Sequence, residues 1–401
     1  MNDLFRGELR TQAQYLLSGY QTDSALFFAS SRQTLLAQGH YATVPTADSL
    51  EALNESVSLA LKQAKATGHL DPVVVGAIPF DGQKPACLSI PRSVLRAGPL
   101  PQSLAQPKPQ AVPCTIQSLP EPQVYADGVA LAVSHLQNKD LDKVVLARAL
   151  DLTAEQAVDI PKLLVTLAQR NAHGYTFAVN LSAAAAEEEA TPRILIGASP
   201  ELLVRKQGKL VFSNPLAGSA ARSPDPKIDR ERGEALLQSA KDLHEHAVVV
   251  DAVAAGLRPF CRTLNVPERP VLLHTETMWH LSTEISGELI DEATTSLMLA
   301  SALHPTPAVC GHPKRSARDL ISQIEPFDRG FYTGMLGWCD ANGDGEWVVT
   351  IRCAEVLGKS LRLFAGAGIV ADSSPQSELA ETSAKFRTML NAMGLVHAGA
   401  V

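Results

Sequence analysis

The chain has 401 residues, a hydrophobic fraction of 45% and a formal net charge of −7, enough for a large core in one or two domains. The acidic balance and the lack of a basic stripe argue against nucleic acid as a partner. No apolar run is long enough to span a bilayer, and the first residues do not read as a signal peptide.

The cysteines (Cys87, Cys114, Cys261, Cys310, Cys339, Cys353) are scattered and form no CxxC pair. Buried, reduced thiols in a cytoplasmic protein are expected.

In chain order, residues 25–29 and 73–78 read as buried strands. Residues 49–65 read as a helix, with Leu50, Leu53, Val57 and Leu61 near helical spacing. Residues 91–122 are rich in proline and read as extended surface chain, either a linker between domains or one long loop. A helix is expected over 124–135 and a strand over 141–148. Alternation puts Lys143, Val145 and Ala147 on one face of that strand. A lysine there sits at an exposed edge or points into a site, and the pattern alone favours the edge.

An amphipathic helix follows over 160–172. The low-complexity run 182–191 reads as a variable loop or short exposed helix. Residues 193–204 and 209–213 suggest a hairpin across 206–208, with Glu201 at a break after Pro200. The longest expected helix covers 229–260 and carries Asp242 and Glu245 at i, i+3. Strand, turn and strand are expected over 271–287, and a helix over 296–303. Residues 330–364 suggest an antiparallel meander of three strands (332–339, 346–354, 360–364) with tight turns at 340–345 and 357–359.

The last run passes through Gly366-Ala-Gly368 into a helix with Ser374 as N-cap and Pro375 at its first position. Glu378, Glu381 and Lys385 share one face of that helix. Strands and helices are grouped rather than alternating, which indicates α+β with a large antiparallel sheet.

Three local patterns are set aside. Gly366-Ala-Gly-Ile-Val-Ala371 imitates a dinucleotide fingerprint, but too little chain follows it for a βαβ unit and an acidic ribose ligand. Its glycines at most let backbone N–H groups approach an anion. Asp340-Ala-Asn-Gly-Asp-Gly345 imitates a calcium loop, but position twelve is Ile351 and strands flank it. His244 and His246 are two apart on a helix and point in different directions. The two acidic pairs, Asp242/Glu245 and Glu378/Glu381, would suit a hard cation such as Mg2+ if they faced each other. Solvated acidic faces are the alternative, and the pattern leaves it open.

Eight segments occur in an order that resembles one family. They are Lys143-Val-Val-Leu-Ala-Arg148, Gly197-Ala-Ser-Pro-Glu201, Pro215-Leu-Ala-Gly-Ser219, Lys241-Asp-Leu-His-Glu-His246, His304-Pro-Thr-Pro307, Glu346-Trp-Val-Val-Thr-Ile-Arg-Cys-Ala354, Phe364-Ala-Gly-Ala-Gly-Ile369 and Glu378-Leu-Ala-Glu-Thr-Ser-Ala-Lys385. Together they resemble the chorismate-utilising enzymes, most closely the isochorismate synthases of catecholate-siderophore pathways. The resemblance implies one α+β domain over 1–401, with a large, mainly antiparallel sheet in a layered α/β sandwich. Residues 1–123, including the proline-rich loop 91–122, are its less characteristic part, and 124–401 carry the motifs.

The resemblance also implies a site. Glu245 and Glu381 would hold Mg2+ directly, with Asp242 and Glu378 behind through water. The metal, Lys385 and the backbone at Gly366 and Gly368 would take the ring carboxylate of chorismate, and Arg352 would grip the enolpyruvyl carboxylate. Tyr332, His280 and Gly218 would adjoin the substrate. Lys143 would take a proton from water attacking ring C2, and Glu201 would protonate the departing C4 hydroxyl.

Ala217 stands where relatives with a lysine nucleophile carry that lysine, and anthranilate-forming relatives lack a lysine at Lys143. The expected product is therefore isochorismate, for 2,3-dihydroxybenzoate siderophore synthesis. Salicylate synthases and menaquinone-branch isochorismate synthases are the nearest alternatives. A non-catalytic binding homologue would have lost Lys143, Glu201 or a metal carboxylate, and all are present. The expected partner is chorismate alone, without nucleic acid or membrane. A monomer is compatible with the sequence, which does not encode the oligomeric state legibly.

Overall fold

The structure, a computed structural model, describes residues 12–101, 113–171, 173–182 and 191–395. The central part of the low-complexity run 182–191 lies outside the described residues. Every strand pairing recorded is antiparallel, and the strands fall into sheets of ten, nine and three.

Four layers result. Along Leu26–Ala29, Leu26 and Phe28 face the second large sheet, where they meet Val73, Val75 and Ala77. Phe27 and Ala29 face the opposite way, toward the Ile160–Arg170 and Pro375–Ala392 helices. The outer face of the nine-stranded sheet packs on the Leu50–Ala66, Ala240–Leu257 and Ser296–Leu303 helices. Central strands are thus apolar on both faces, which is why Val73–Ile78 reads as a continuous apolar run.

Several expected elements are divided differently. The 193–204 run is two strands in two sheets. Arg193–Ser199 pairs with Tyr175–Asn180 and Cys353–Leu357, whereas Leu202–Gln207 pairs with Leu210–Asn214 and Gly345–Val349. The meander is likewise two hairpins: Met335–Asp340 with Gly345–Val349 in one sheet, and Cys353–Leu357 with Ser360–Ile369 in the other. The chain therefore crosses between the large sheets at Pro200–Glu201 and again at Thr350–Arg352. A backbone hydrogen bond from Val349 to the Glu201 carbonyl joins the crossings.

The expected 229–260 helix is two, Pro226–Leu236 and Ala240–Leu257. Ser239 starts the second by accepting from the Asp242 N–H. The proline-rich segment contributes the strands Ser93–Ala97 and Cys114–Leu119 at its ends, and residues 102–112 lie outside the described part. All six cysteines are free, and all but the half-buried Cys114 are buried. Among the described residues no helix is long and apolar enough to cross a membrane.

Candidate active site

One cavity opens where the two crossings meet the Leu216–Ala221 strand and the Gly366–Gly368 backbone. Its wall includes Glu201, Gly218, Glu245, His280, Tyr332, Arg352, Gly366, Gly368, Glu381 and Lys385. Lys143, Asp242 and Glu378 are not part of that wall, although Lys143 contacts Glu245, which is.

The edge position expected for Lys143 from alternation is incorrect. Its strand, Lys143–Ala154, lies inside the sheet, between Ser360–Ile369 on one side and Gly311–His312 with Cys114–Leu119 on the other. The side chain is fully buried, and its Nζ lies 2.9 Å from Glu245 Oε1. Burial pushes the Glu245 carboxyl up, but Lys143, with Lys385 and Lys241 beyond, outweighs it and holds the group below the usual carboxylate range.

Gly368 makes this contact possible. A Cβ there would collide with Glu245 Oε1 and stand 2.9 Å from Lys143 Cε. A Cβ on Gly366 would come within 2.8 Å of the Tyr332 hydroxyl, and Tyr332 stacks on Phe364 with ring centroids 4.9 Å apart. These glycines lie within a regular strand beside Ala147 and Val145, not in a phosphate loop. Beyond Leu363 no described strand pairs their other edge.

Glu201 sits at the first sheet crossing and is almost wholly buried. Burial pushes its carboxyl up to about 7, against the opposing pull of the Leu216 N–H, Lys143, Arg352 and Lys385. That value lets the group hold a proton near neutral pH.

Arg352 sits at the second crossing with φ of 52°, in the left-handed region that few non-glycine residues occupy. Its Nη2 donates to His280 Nε2 at 3.3 Å, and its buried Nε has no hydrogen-bond partner among the described residues. His280 Nδ1 lies 2.8 Å from Ser219 Oγ. Burial, then Arg352 and Lys385, hold His280 well below the usual histidine range. A neutral ring with Nδ1–H donating to Ser219 and Nε2 accepting from Arg352 satisfies both contacts.

Lys385 donates to the Gly366 carbonyl at 2.8 Å and lies 2.6 Å from Glu381. It therefore bridges the last helix and the glycine strand at the cavity wall. Ser374 is at the N-cap position of that helix, but its side chain makes no capping hydrogen bond.

The family model described as chorismate binding enzyme matches residues 94–394. The chain belongs to the chorismate-binding enzymes. It is 55% identical over 392 residues to isochorismate synthase DhbC of Bacillus subtilis (strain 168), covering 96% of this chain and 98% of that one. It is 44% identical over 386 residues to the vibriobactin-specific isochorismate synthase of Vibrio cholerae, covering 96% and 95%. The crystal structure of a candidate 2,3-dihydroxybenzoate-specific isochorismate synthase, DhbC of Bacillus anthracis, matches with a TM-score of 0.90 at 52% identity, over 96% of this chain and 99% of that one.

In this chorismate-binding enzyme the acidic pairs lie near each other. Burial, then the nearby Glu245 and Glu381, raise Asp242, although Ser239 opposes them. Burial and Glu381 raise Glu378 against the pull of Lys241. Such mutual repulsion, and an all-oxygen donor set, fit a hard divalent cation. Yet among the described residues no three histidine, cysteine or acidic side chains converge into a ready metal cage. Lysines balance the charge instead: Lys143 on Glu245, Lys385 on Glu381 and, at 2.7 Å, Lys241 on Glu378.

Sequence reasoning missed Ser219, Lys241 and Thr333. Ser219 and Lys241 lie inside quoted motifs, but their roles depend on partners 61 and 137 residues away. Thr333 lines the cavity with φ of 58°, and no sequence pattern marks it. His246 is a brace and not a ligand. Its ring joins the Ala217 carbonyl at 3.2 Å to Thr283 Oγ1 at 2.7 Å, while His244 is exposed.

Proposed function

We propose that the protein is an isochorismate synthase, adding water at ring C2 of chorismate and releasing the C4 hydroxyl. The observation that carries this reading is Glu201, a buried carboxyl raised to about 7 in the same cavity as two cationic carboxylate grips, Arg352 and Lys385. A dicarboxylate whose neutral hydroxyl must leave needs both features.

The side chains divide the work. Arg352, with its unpartnered Nε, binds the enolpyruvyl carboxylate, and Tyr332 adjoins the same group. Lys385 and the backbone at Gly366 and Gly368 take the ring carboxylate. Gly218 lines the cavity with φ of 75°, and a Cβ there would approach Asp242 Cβ to 3.0 Å. Lys143, acting as the uncharged amine, removes a proton from water as its oxygen bonds to C2. The ring double bonds shift, the C4–O bond breaks, and Glu201 gives its proton to the leaving hydroxyl. His280, in the same cavity wall, accepts from Arg352 and steadies it.

Glu245 and Glu381 would hold Mg2+ directly, with Asp242 and Glu378 acting through water. Bound there, the cation supplies positive charge to the ring carboxylate. Ala217 presents only a methyl group to the cavity, so water rather than a lysine amine is the nucleophile. The names of the Vibrio and Bacillus anthracis relatives support a product destined for 2,3-dihydroxybenzoate and siderophores. Six free thiols are compatible with a cytoplasmic setting.

The test is product identity. Purified protein with chorismate and Mg2+ should yield isochorismate, resolved by chromatography, approaching equilibrium with chorismate. A lactate-dehydrogenase-coupled assay should detect no pyruvate. Stoichiometric pyruvate would make the protein a salicylate synthase, and no turnover at all would leave a chorismate-binding protein without this activity.

A further inference from the structure

The Lys143–Ala154 strand has an interrupted edge. Gly311–His312 pairs with its first two residues, and the Val145 N–H reaches the Cys310 carbonyl at 2.8 Å. Cys114–Leu119 resumes the ladder only at Ala149. Two side chains fill the gap. Arg329 Nη2 donates to the Val145 carbonyl at 2.7 Å, and the Ala147 N–H donates to Glu325 Oε1 at 2.8 Å.

The same guanidinium joins two further parts of the cavity. Nη1 donates to the Val309 carbonyl at 2.7 Å and to Thr333 Oγ1 at 3.3 Å. Nε and Nη2 close the fork on Glu325 at 2.8 and 2.5 Å. These contacts engage every N–H donor that an arginine has. Both side chains are buried, and the guanidinium lies 4.6 Å from the Phe80 ring centroid. Val145, Val309 and Thr333 all line the active-site cavity, whereas Arg329 and Glu325 do not.

A buried ion pair gives little net stability over well-packed apolar residues. What this one supplies is geometry, because a planar fork fixes three backbone or hydroxyl oxygens at once. We propose that Arg329, aligned by Glu325, is a positioning residue that sets the strand of Lys143 against the Val309 loop and the Tyr332–Thr333 turn. The inference rests on the proposed role of Lys143. It predicts a defect in turnover rather than in substrate binding, because Arg352 and Lys385 stand on other elements.

Arg329→Lys keeps the charge but lacks the fork, and Glu325→Gln keeps the shape but lacks the charge. Both should be measured for circular dichroism, thermal melting and chorismate kinetics. A folded variant should lose about a hundredfold in kcat, the cost of a misplaced catalytic group, with KM within about threefold of wild type. A double variant, Glu325→Leu with Arg329→Met, restores apolar packing without the backbone grips, and it should fold while staying slow. Near-normal kcat in any folded variant overturns the proposal. So does a loss of activity no larger than the loss of folded protein, or failure of all three to fold, since each leaves the pair a brace of the fold alone. Wild-type protein that forms no isochorismate would instead remove the functional reading beneath it.

Discussion

Lys143 and Glu245 are paired with each other at 2.9 Å inside the protein. The expected base thus sits on an expected metal ligand, and Glu381 and Lys385 repeat the arrangement at 2.6 Å on the neighbouring helix. A cation held by the two glutamates would displace both lysines from them, freeing Lys143 for the water and Lys385 for the substrate carboxylate.

Exhaustive chelation should therefore abolish turnover, and added Mg2+ should restore it. Mg2+ alone should also raise the melting temperature, since a ligand that binds only the folded state stabilises it. Glu245→Gln and Glu381→Gln should weaken both effects far more than Asp242→Asn. Full activity in chelated protein would end the metal assignment.

Lys143→Ala and Glu201→Gln should each lose about a hundredfold or more in turnover, the usual share of general acid–base catalysis. Chorismate binding should survive. The interconversion is reversible, so each loss should be equal from chorismate and from isochorismate. Glu201 must be protonated to act as acid, and its carboxyl stands at about 7. The forward rate should thus fall as pH rises through that value, and Glu201→Gln should lack this limb. A variant with near-normal turnover in either direction drops out of the mechanism.

Gly368→Ala should be inactive although the substitution is small. The added methyl group collides with Glu245 Oε1 and crowds Lys143 Cε, so the pair must move apart. A loss of about a hundredfold is expected from such displacement, with the far-ultraviolet spectrum unchanged. Unimpaired kinetics would show that the wall tolerates a Cβ.

Stability should fall in mild acid through His304 and His246. Burial, above all, holds both at about 4, below the ordinary value near 6.5. The unfolded chain binds the extra protons first, so the stabilisation is complete above about pH 6.5 and is lost as pH falls toward 4. For His304 the shift corresponds to about 3 kcal/mol. His304 Nε2 donates to the Phe80 carbonyl at 3.2 Å, a bond that glutamine can replace. Melting curves between pH 7.5 and 4.5 should therefore be flatter for His304→Gln than for wild type; equal slopes would exclude the histidine as a cause.

Local pattern was legible where neighbours in sequence settle the outcome. The strand Val73–Ile78 and the helix Ser296–Leu303 have the bounds expected of them, and Glu201 lies at the strand break that Pro200 signals. The break within 229–260 was not legible, because apolar spacing continues across it and only the Ser239 cap marks the new helix. Nor was the division of strands between two sheets. A strand buried on both faces carries no alternation to say which sheet it joins.

The ordered motifs by themselves determined the family and the chemical types available: two acidic pairs, a lysine, a glutamate and an arginine. Their spacing along the chain is fixed by covalent structure and needs no fold to be read. Only the tertiary structure decided that Lys143 is interior and meets Glu245 across 102 residues, that the Glu201 and Arg352 turns are two crossings between the same pair of sheets, and that Arg329 and Glu325 complete a strand edge. Those relations depend on long-range pairing and burial, which raise one carboxyl and lower another of the same kind, and neither is a property of any local stretch of sequence.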